Sequence, residues 1–278
     1  MTHEGSPCRH PLISYHCKMT FTEALITAAR RYCIDHHAHW ANRYRNERSG
    51  QDFPVYTYSD SDYDLFPRYN MLSAILGEIE VLVGNPAVSR ETLVQIGLSA
   101  GLPFTEDEEH PIETAAIQQE REKFIHFIQT ITPEALEQTA PLPHRRRLDA
   151  TEKEQVDLQL LERWNYDGNY WDPIDPKSPS EVVYLAKRDV TTADYESLRR
   201  FIDGHARPYL LEITEEGVIT EITPADFNPD SYETAYFDEH YEWIIYGSHE
   251  LTITFAGEPL LAFIRQLFAG RENLFKYS

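Results

Sequence analysis

Four short clusters hold the residue types that could do chemistry. The first is Asp35-His36-His37-Ala38-His39-Trp40. On a helix, residues three or four apart share a face, which sets His39 beside His36 and Asp35. Zinc accepts such donors, but the sequence indicates no further ligand and holds no HExxH pattern. A metal-dependent hydrolase built on Asp35, His36 and His39 is therefore an alternative reading. Packing of His36 with Tyr32 and Trp40 is preferred, and no metal or cofactor is expected. The second cluster, Asp60-Ser61-Asp62-Tyr63-Asp64, copies the opening of a calcium loop. Leu65 then stands where the loop needs Gly, and Met71 where it needs Glu. It reads as a solvated acidic loop. The third, Ser248-His249-Glu250, has the residue types of a hydrolytic triad. Neighbours on a strand point to opposite faces, so Ser248 and His249 are not expected to share a proton, and there is no GxSxG elbow. The fourth is Cys8, His10, His16 and Cys17, whose spacing matches no common zinc finger. No set of nucleophile, base and orienting group emerges, so an enzyme is the less favoured class and no catalytic residue is assigned.

Helices are expected through the first half. Thr20 and Glu23 form a capping-box pattern ahead of a helix running from Phe21 toward Arg45. Leu25, Ala29, Tyr32, His36 and Trp40 recur on one of its faces. A polar loop with Tyr56, Tyr58 and Tyr63 follows. Further helices are expected over residues 69–83, 89–101 and 111–131, the last opened by Pro111. Pro141 and Pro143 mark a boundary. Beyond it, Asp149 and Glu152 cap a helix ending at Trp164, and two more helices cover residues 192–203 and 259–268. Strands are expected over residues 182–186, 209–213, 218–222, 241–246 and 251–255. Glu215-Glu216-Gly217 turns one hairpin, and Gly247-Ser248 turns another as a type II′ turn. Trp164, Tyr166, Tyr170 and Trp171 are expected to close the core, with an aromatic cleft for a ligand as the alternative. The class is α+β. A flexible arm spans residues 1–19, a helical region 20–143, and an α+β domain 144–278, whose antiparallel sheet of four to five strands is covered by helices.

Charge is the strongest global signal, at −21 over 278 residues. Residues 149–278 carry 26 acids against 11 Lys and Arg, whereas residues 1–148 carry 20 against 14. Between Arg207 and Arg265 there are twelve acids and no Lys or Arg. Such a field repels nucleic acid and anionic membranes and draws a basic protein. The dense positive run, Arg145-Arg146-Arg147, is expected to pair with acids of the sheet rather than with nucleic acid. No apolar run approaches the roughly 18 residues that cross a bilayer. Three cysteines within the first 33 residues are no disulfide framework, and residues 1–17 hold no signal-peptide core. These features point to the cytoplasm.

Arg145-Arg146-Arg147-Leu148 precedes an acidic helix ending in Trp164, followed by Tyr170-Trp171-Asp172-Pro173. Later come Trp243-Ile244-Ile245-Tyr246-Gly247-Ser248-His249-Glu250, then Thr252, Thr254, Ala256 and Gly257. Over about residues 144–268 this order resembles a poorly characterised group of small bacterial proteins that includes immunity-like partners of secreted toxins. The resemblance implies a binding protein rather than an enzyme. The function expected is thus a non-catalytic cytoplasmic binding protein of immunity type, which neutralises a basic toxin through an acidic face. A scaffolding role, with acidity serving only solubility, is the other alternative. The face is assigned to Glu215, Glu216, Asp238, Glu239, Glu242, His249 and Glu250, with Tyr236 and Tyr241 as aromatic anchors.

Overall fold

A computed structural model of the chain describes residues 19–48, 57–101, 110–168, 171, 181–206 and 208–277. The Cys8, His10, His16 and Cys17 cluster, the arm up to residue 18, Tyr56 and Tyr170 lie outside the described residues. Five helices build the first half: α1 (Phe21–Arg48), α2 (Asp60–Val81), α3 (Arg90–Ser99), α4 (Pro111–Thr130) and the short α5 (Pro133–Glu137). Leu25, Ala29, Cys33, Leu72, Ile75, Ile79, Leu93, Phe124 and Ile128 form their shared core. Residues 24–30 of α1 are buried without a break, so that stretch is enclosed on every side, and the helix then emerges toward solvent. The acidic run from Asp60 is not a loop but the first turn of α2. The Ser59 N–H donates to the Asp62 carboxylate at 2.7 Å, and acids here complement the helix dipole. Pro67 lies inside this helix, which is why the sequence pattern hides its first two turns.

The second half runs β1 (Arg145–Arg147), α6 (Ala150–Trp164), β2 (Val182–Ala186), α7 (Thr192–His205), β3 (Leu210–Ile213), β4 (Ile219–Ile222), β5 (Thr234–Phe237), β6 (Ile244–Gly247), β7 (Thr252–Ala256), α8 (Glu258–Leu267) and β8 (Lys276–Tyr277). The fold is α+β, with one sheet in the order β1-β4-β3-β5-β6-β7-β2-β8 and every pairing antiparallel. Its eight strands exceed the four to five expected. The additions are β1, which is three arginines without alternation, the four-residue β5, and the two-residue β8. Side chains alternate across the sheet as a pleat requires. Leu211, Ile213, Phe237, Ile244 and Tyr246 meet Val156, Leu160 and Trp164 of α6 on one face. Leu210, Ile222, Tyr236, Ile245 and Phe255 meet α7 and α8 on the other. Tyr166 and Trp171 are buried with Trp164, and the Trp171 indole donates to the Trp164 carbonyl at 2.9 Å. The β6–β7 hairpin is not a type II′ turn. Gly247 stays in the strand, and Leu251 takes the left-handed position at φ +60° while its N–H donates to Ser248 O. Gly217 (φ +68°) and Tyr241 (φ +56°) serve the same purpose in their own hairpins, where a left-handed residue restores the strand twist.

The two halves meet at β1. Arg145 pairs with Glu212 at 2.9 Å, and Arg146 with Glu221 at 2.6 Å and Glu152 at 2.8 Å. The basic run is thus paired with acids of the sheet and of α6. Across the seam, Glu80 of α2 sits 3.4 Å from Arg30, 3.7 Å from Arg145 and 3.8 Å from Arg147. Gly77 permits this approach, since a Cβ there would lie 2.5 Å from the Arg147 guanidinium. Among the described residues, no helix is long and apolar enough to cross a membrane.

Candidate binding groove

Strand direction decides where the acidic side chains emerge. β3, β6 and β2 run one way, and β4, β5 and β7 the other. The β3–β4 and β6–β7 turns therefore share one end of the sheet. The β5–β6 turn lies at the opposite end, with the junction between β7 and α8. Glu215, Glu216, His249 and Glu250 occupy the first end, and Glu239, Tyr241 and Glu242 the second. A four-residue strand separates the ends by roughly 13 Å. The residues assigned to one face are thus divided between two.

Two of them do not reach the surface. Tyr236 is 1% exposed within the core under α7 and α8. Its hydroxyl donates to Glu212 at 3.1 Å, and burial raises its pKa. A strand tyrosine facing a covered layer packs inward and cannot anchor a partner. Asp238 is 3% exposed and accepts the backbone N–H groups of His240, Glu242 and Trp243 at 3.2, 2.8 and 3.3 Å. Burial raises its pKa in spite of those donors. Asp238 shapes the β5–β6 turn from beneath. At the other end, buried Glu233 accepts the His249 N–H at 2.7 Å, the His249 ring Nδ1 and the Tyr246 hydroxyl. Buried Ser248 exchanges a hydrogen bond with Thr252 and accepts the Glu250 N–H. Ser248 and His249 therefore serve different partners and form no nucleophile–base pair.

At the β5–β6 end, three carboxylates from three elements converge. Glu162 of α6, Glu242 of the turn and Glu258 of α8 line a groove of about 650 Å³ with Gln159, Arg163, Trp164 and Pro259. All three are exposed, and none forms an ion pair among the described residues. Local geometry places them there. Asp238 fixes the turn. The Arg163 Nε donates to the Tyr241 carbonyl at 3.2 Å and ties α6 to it. Gly257, at φ +98°, lets the start of α8 close onto the turn, because a Cβ there would lie 2.2 Å from Glu242 O. Against three negative charges stand Arg163 and the α8 N-terminus, the latter equivalent to about half a positive charge. The groove remains negative. Leu158 and Leu161, at 59% and 50% exposure, flank Glu162 on the outer side of α6. Trp164 is 3% exposed, yet its indole N–H has no acceptor among the described residues. The arrangement offers anionic groups suited to holding a cationic ligand.

Glu162, Arg163 and Glu258 were not among the residues the sequence singled out, and Trp164 is favoured there as a core residue. Nothing in the spacing brings α6 to α8. The histidine cluster of α1 is dispersed. His36 is exposed, and its ring lies tilted against Tyr32 with centroids 4.1 Å apart, rather than packing in the core. His39 meets the edge of Trp40 at 4.8 Å, and Asp35 is exposed. Among the described residues, no three His, Cys, Asp or Glu side chains are grouped so as to hold a metal ion. No family model matches the chain, and no curated protein or solved structure proves similar to it.

Proposed function

We propose that this chain is a non-catalytic cytoplasmic binding protein of immunity type, which holds a basic protein partner such as a nuclease toxin at the acidic groove between α6, the β5–β6 turn and α8. One observation carries the reading: Glu162, Glu242 and Glu258 come from three elements distant in sequence, converge on one groove, and have no ion-pair partner among the described residues. A field of that sign steers a cationic surface into contact and repels nucleic acid. Glu239 extends it along the turn, and Leu158 and Leu161 add apolar area at the rim. Tyr241 and Glu242 keep their assigned roles in this reading, whereas Tyr236 and Asp238 serve as internal supports.

The test is capture of a basic protein from the native lysate by the tagged chain at low and high salt. Two variants accompany it: Glu162→Gln with Glu242→Gln and Glu258→Gln, and a control altered at the far end, Glu215→Gln with Glu216→Gln and Glu250→Gln. Capture near stoichiometry at low salt, lost at high salt and in the groove variant but kept in the control, is the expected result. Salt-independent capture, or equal capture by both variants, overturns the reading.

A further inference from the structure

We infer that the furrow between α7 and α8 is a binding site for a small organic anion, a carboxylate carried on an aromatic ring. The furrow holds about 570 Å³ and is lined by Ser197, Arg200, Phe201 and His205 from α7 and by Phe263 and Gln266 from α8. That volume lies within the range of small-molecule sites. Its charge runs against the rest of the chain. Acids make up 46 of the 278 residues, yet among the described residues no Asp or Glu lines this furrow, while Arg200 and His205 both do. Neither of them forms an ion pair among the described residues. Both are held in place from their own helix. The Ser197 hydroxyl donates to the Ala193 carbonyl at 2.9 Å and accepts from an Arg200 Nη at 2.9 Å. That contact takes one of the five guanidinium N–H groups, so enough remain to grip a carboxylate bidentately. The His205 Nδ1 lies 2.8 Å from the Phe201 carbonyl. A carbonyl only accepts, so Nδ1 carries a proton, and Nε2 is the nitrogen left for a ligand. The His205 ring also stacks on Phe201 at 4.0 Å, and Phe201 stacks on Phe263 at 4.9 Å. Side chains oriented before a ligand arrives lose little entropy in binding it. The Gln266 amide adds a donor from α8, and half-buried Phe263 adds an apolar wall. An inorganic anion leaves that wall bare, and a neutral hydrocarbon leaves the cations unused. An aromatic carboxylate uses both. This site shares no lining residue with the acidic groove, so the two stand or fall separately.

The experiment titrates the ¹⁵N-labelled full chain with three probes: 3-phenylpropionate, propionate, which lacks the ring, and 3-phenylpropanamide, which lacks the charge. The expected result is saturable binding of 3-phenylpropionate with a Kd of about 1 mM or tighter, and binding weaker by about tenfold or more for the other two. Its amide shifts should concentrate in residues 197–205 and 263–267. Arg200→Gln with His205→Asn should weaken 3-phenylpropionate binding by about tenfold or more. Arg199→Gln removes a neighbouring exposed cation outside the furrow and should change it by less than about twofold. All three positions are exposed, and circular dichroism checks that both variants keep their fold. Absence of saturable 3-phenylpropionate binding overturns the inference. Shifts centred elsewhere overturn it as well, as does equal binding of the three probes. An equal loss in Arg199→Gln would mark a general effect of charge and would also overturn it.

Discussion

Replacing Glu80 with methionine is expected to cost about 3–5 kcal/mol of folding stability, the range for breaking a buried ion pair from one side. The side chain is 4% exposed and faces Arg30, Arg145 and Arg147 at 3.4, 3.7 and 3.8 Å. Burial pushes the Glu80 carboxyl up and the Arg30 guanidinium down, so desolvation outweighs mutual attraction at both. In that balance the pair adds little net stability, yet removing one partner leaves the other charged and unhydrated. Without Glu80, three guanidinium groups face one another; Arg145 keeps Glu212 at 2.9 Å and Arg30 keeps the Pro143 carbonyl at 3.3 Å, and among the described residues neither Arg30 nor Arg147 keeps an ion pair. For a chain of this size each kcal/mol is worth about 2–4 °C, so Tm should fall by about 6–20 °C. Arg30→Met together with Glu80→Met should recover at least about half of that loss, since it removes charge from both sides of the seam. Urea unfolding and calorimetry of the parent, both single variants and the double variant give the coupling energy directly. A Glu80→Met variant within about 0.5 kcal/mol of the parent would refute the account, as would a double variant whose cost equals the sum of the singles.

Other consequences are equally specific. Burial disfavours the Glu221 charge, but hydrogen bonds from Arg146 and His144 outweigh it and hold the carboxyl at about 2. A folded value below the unfolded one, about 4.3, means that the stabilisation is full above the unfolded value and is lost as pH falls toward about 2. Glu221→Gln should therefore cost about 1.5–3 kcal/mol at pH 7, and urea titrations should show the gap closing by the acid end of that window. Gly257→Ala places a Cβ 2.2 Å from Glu242 O at φ +98°, so it should destabilise by at least about 2 kcal/mol and weaken partner capture, read by melting and the capture assay. Leu251→Gly relieves a left-handed φ of +60° at an exposed side chain, and thermal melting should show between no change and a gain of about 1 kcal/mol. Cys33 is fully buried and its thiol is pushed up by desolvation, so iodoacetamide should leave it unmodified in the native chain and alkylate it in denaturant, as read by mass spectrometry.

The elements with local chemical signals were legible in the sequence. Asp149 and Glu152 open α6, and the β-rich run Val182–Ala186 is β2 as expected, because capping and strand propensity are written in adjacent residues. β1 was not legible as a strand. Its three arginines have no buried alternation, and they settle beside β4 because Glu221 of β4 and Glu212 of the next strand, β3, wait there. The pairing itself was foreseeable from charge alone, since so acidic a chain leaves few other uses for a basic run. α2 began early because the same aspartates that resemble a calcium loop also complement a helix start, and only tertiary packing of Leu65 and Met71 decides between them.

The candidate site was less legible, for a reason that lies in the topology. An acid-rich stretch of an antiparallel sheet cannot become one acidic face by composition alone. Successive turns alternate between the two ends, and positions within strands alternate between two covered layers. Glu212 and Glu221 are therefore consumed by β1, Glu233 and Asp238 become internal struts, and the turn acids are split. What unites Glu242 with Glu162 and Glu258 is the packing of α6 and α8 at one sheet end, enforced by Gly257 and by Arg163 on the Tyr241 carbonyl. The deficit of basic residues between Arg207 and Arg265 still matters, because among the described residues it leaves that meeting point with Arg163 as the one cation lining it, supplied from outside the stretch. Sequence charge thus sets how negative the groove is, and the order of strands sets where the groove can be.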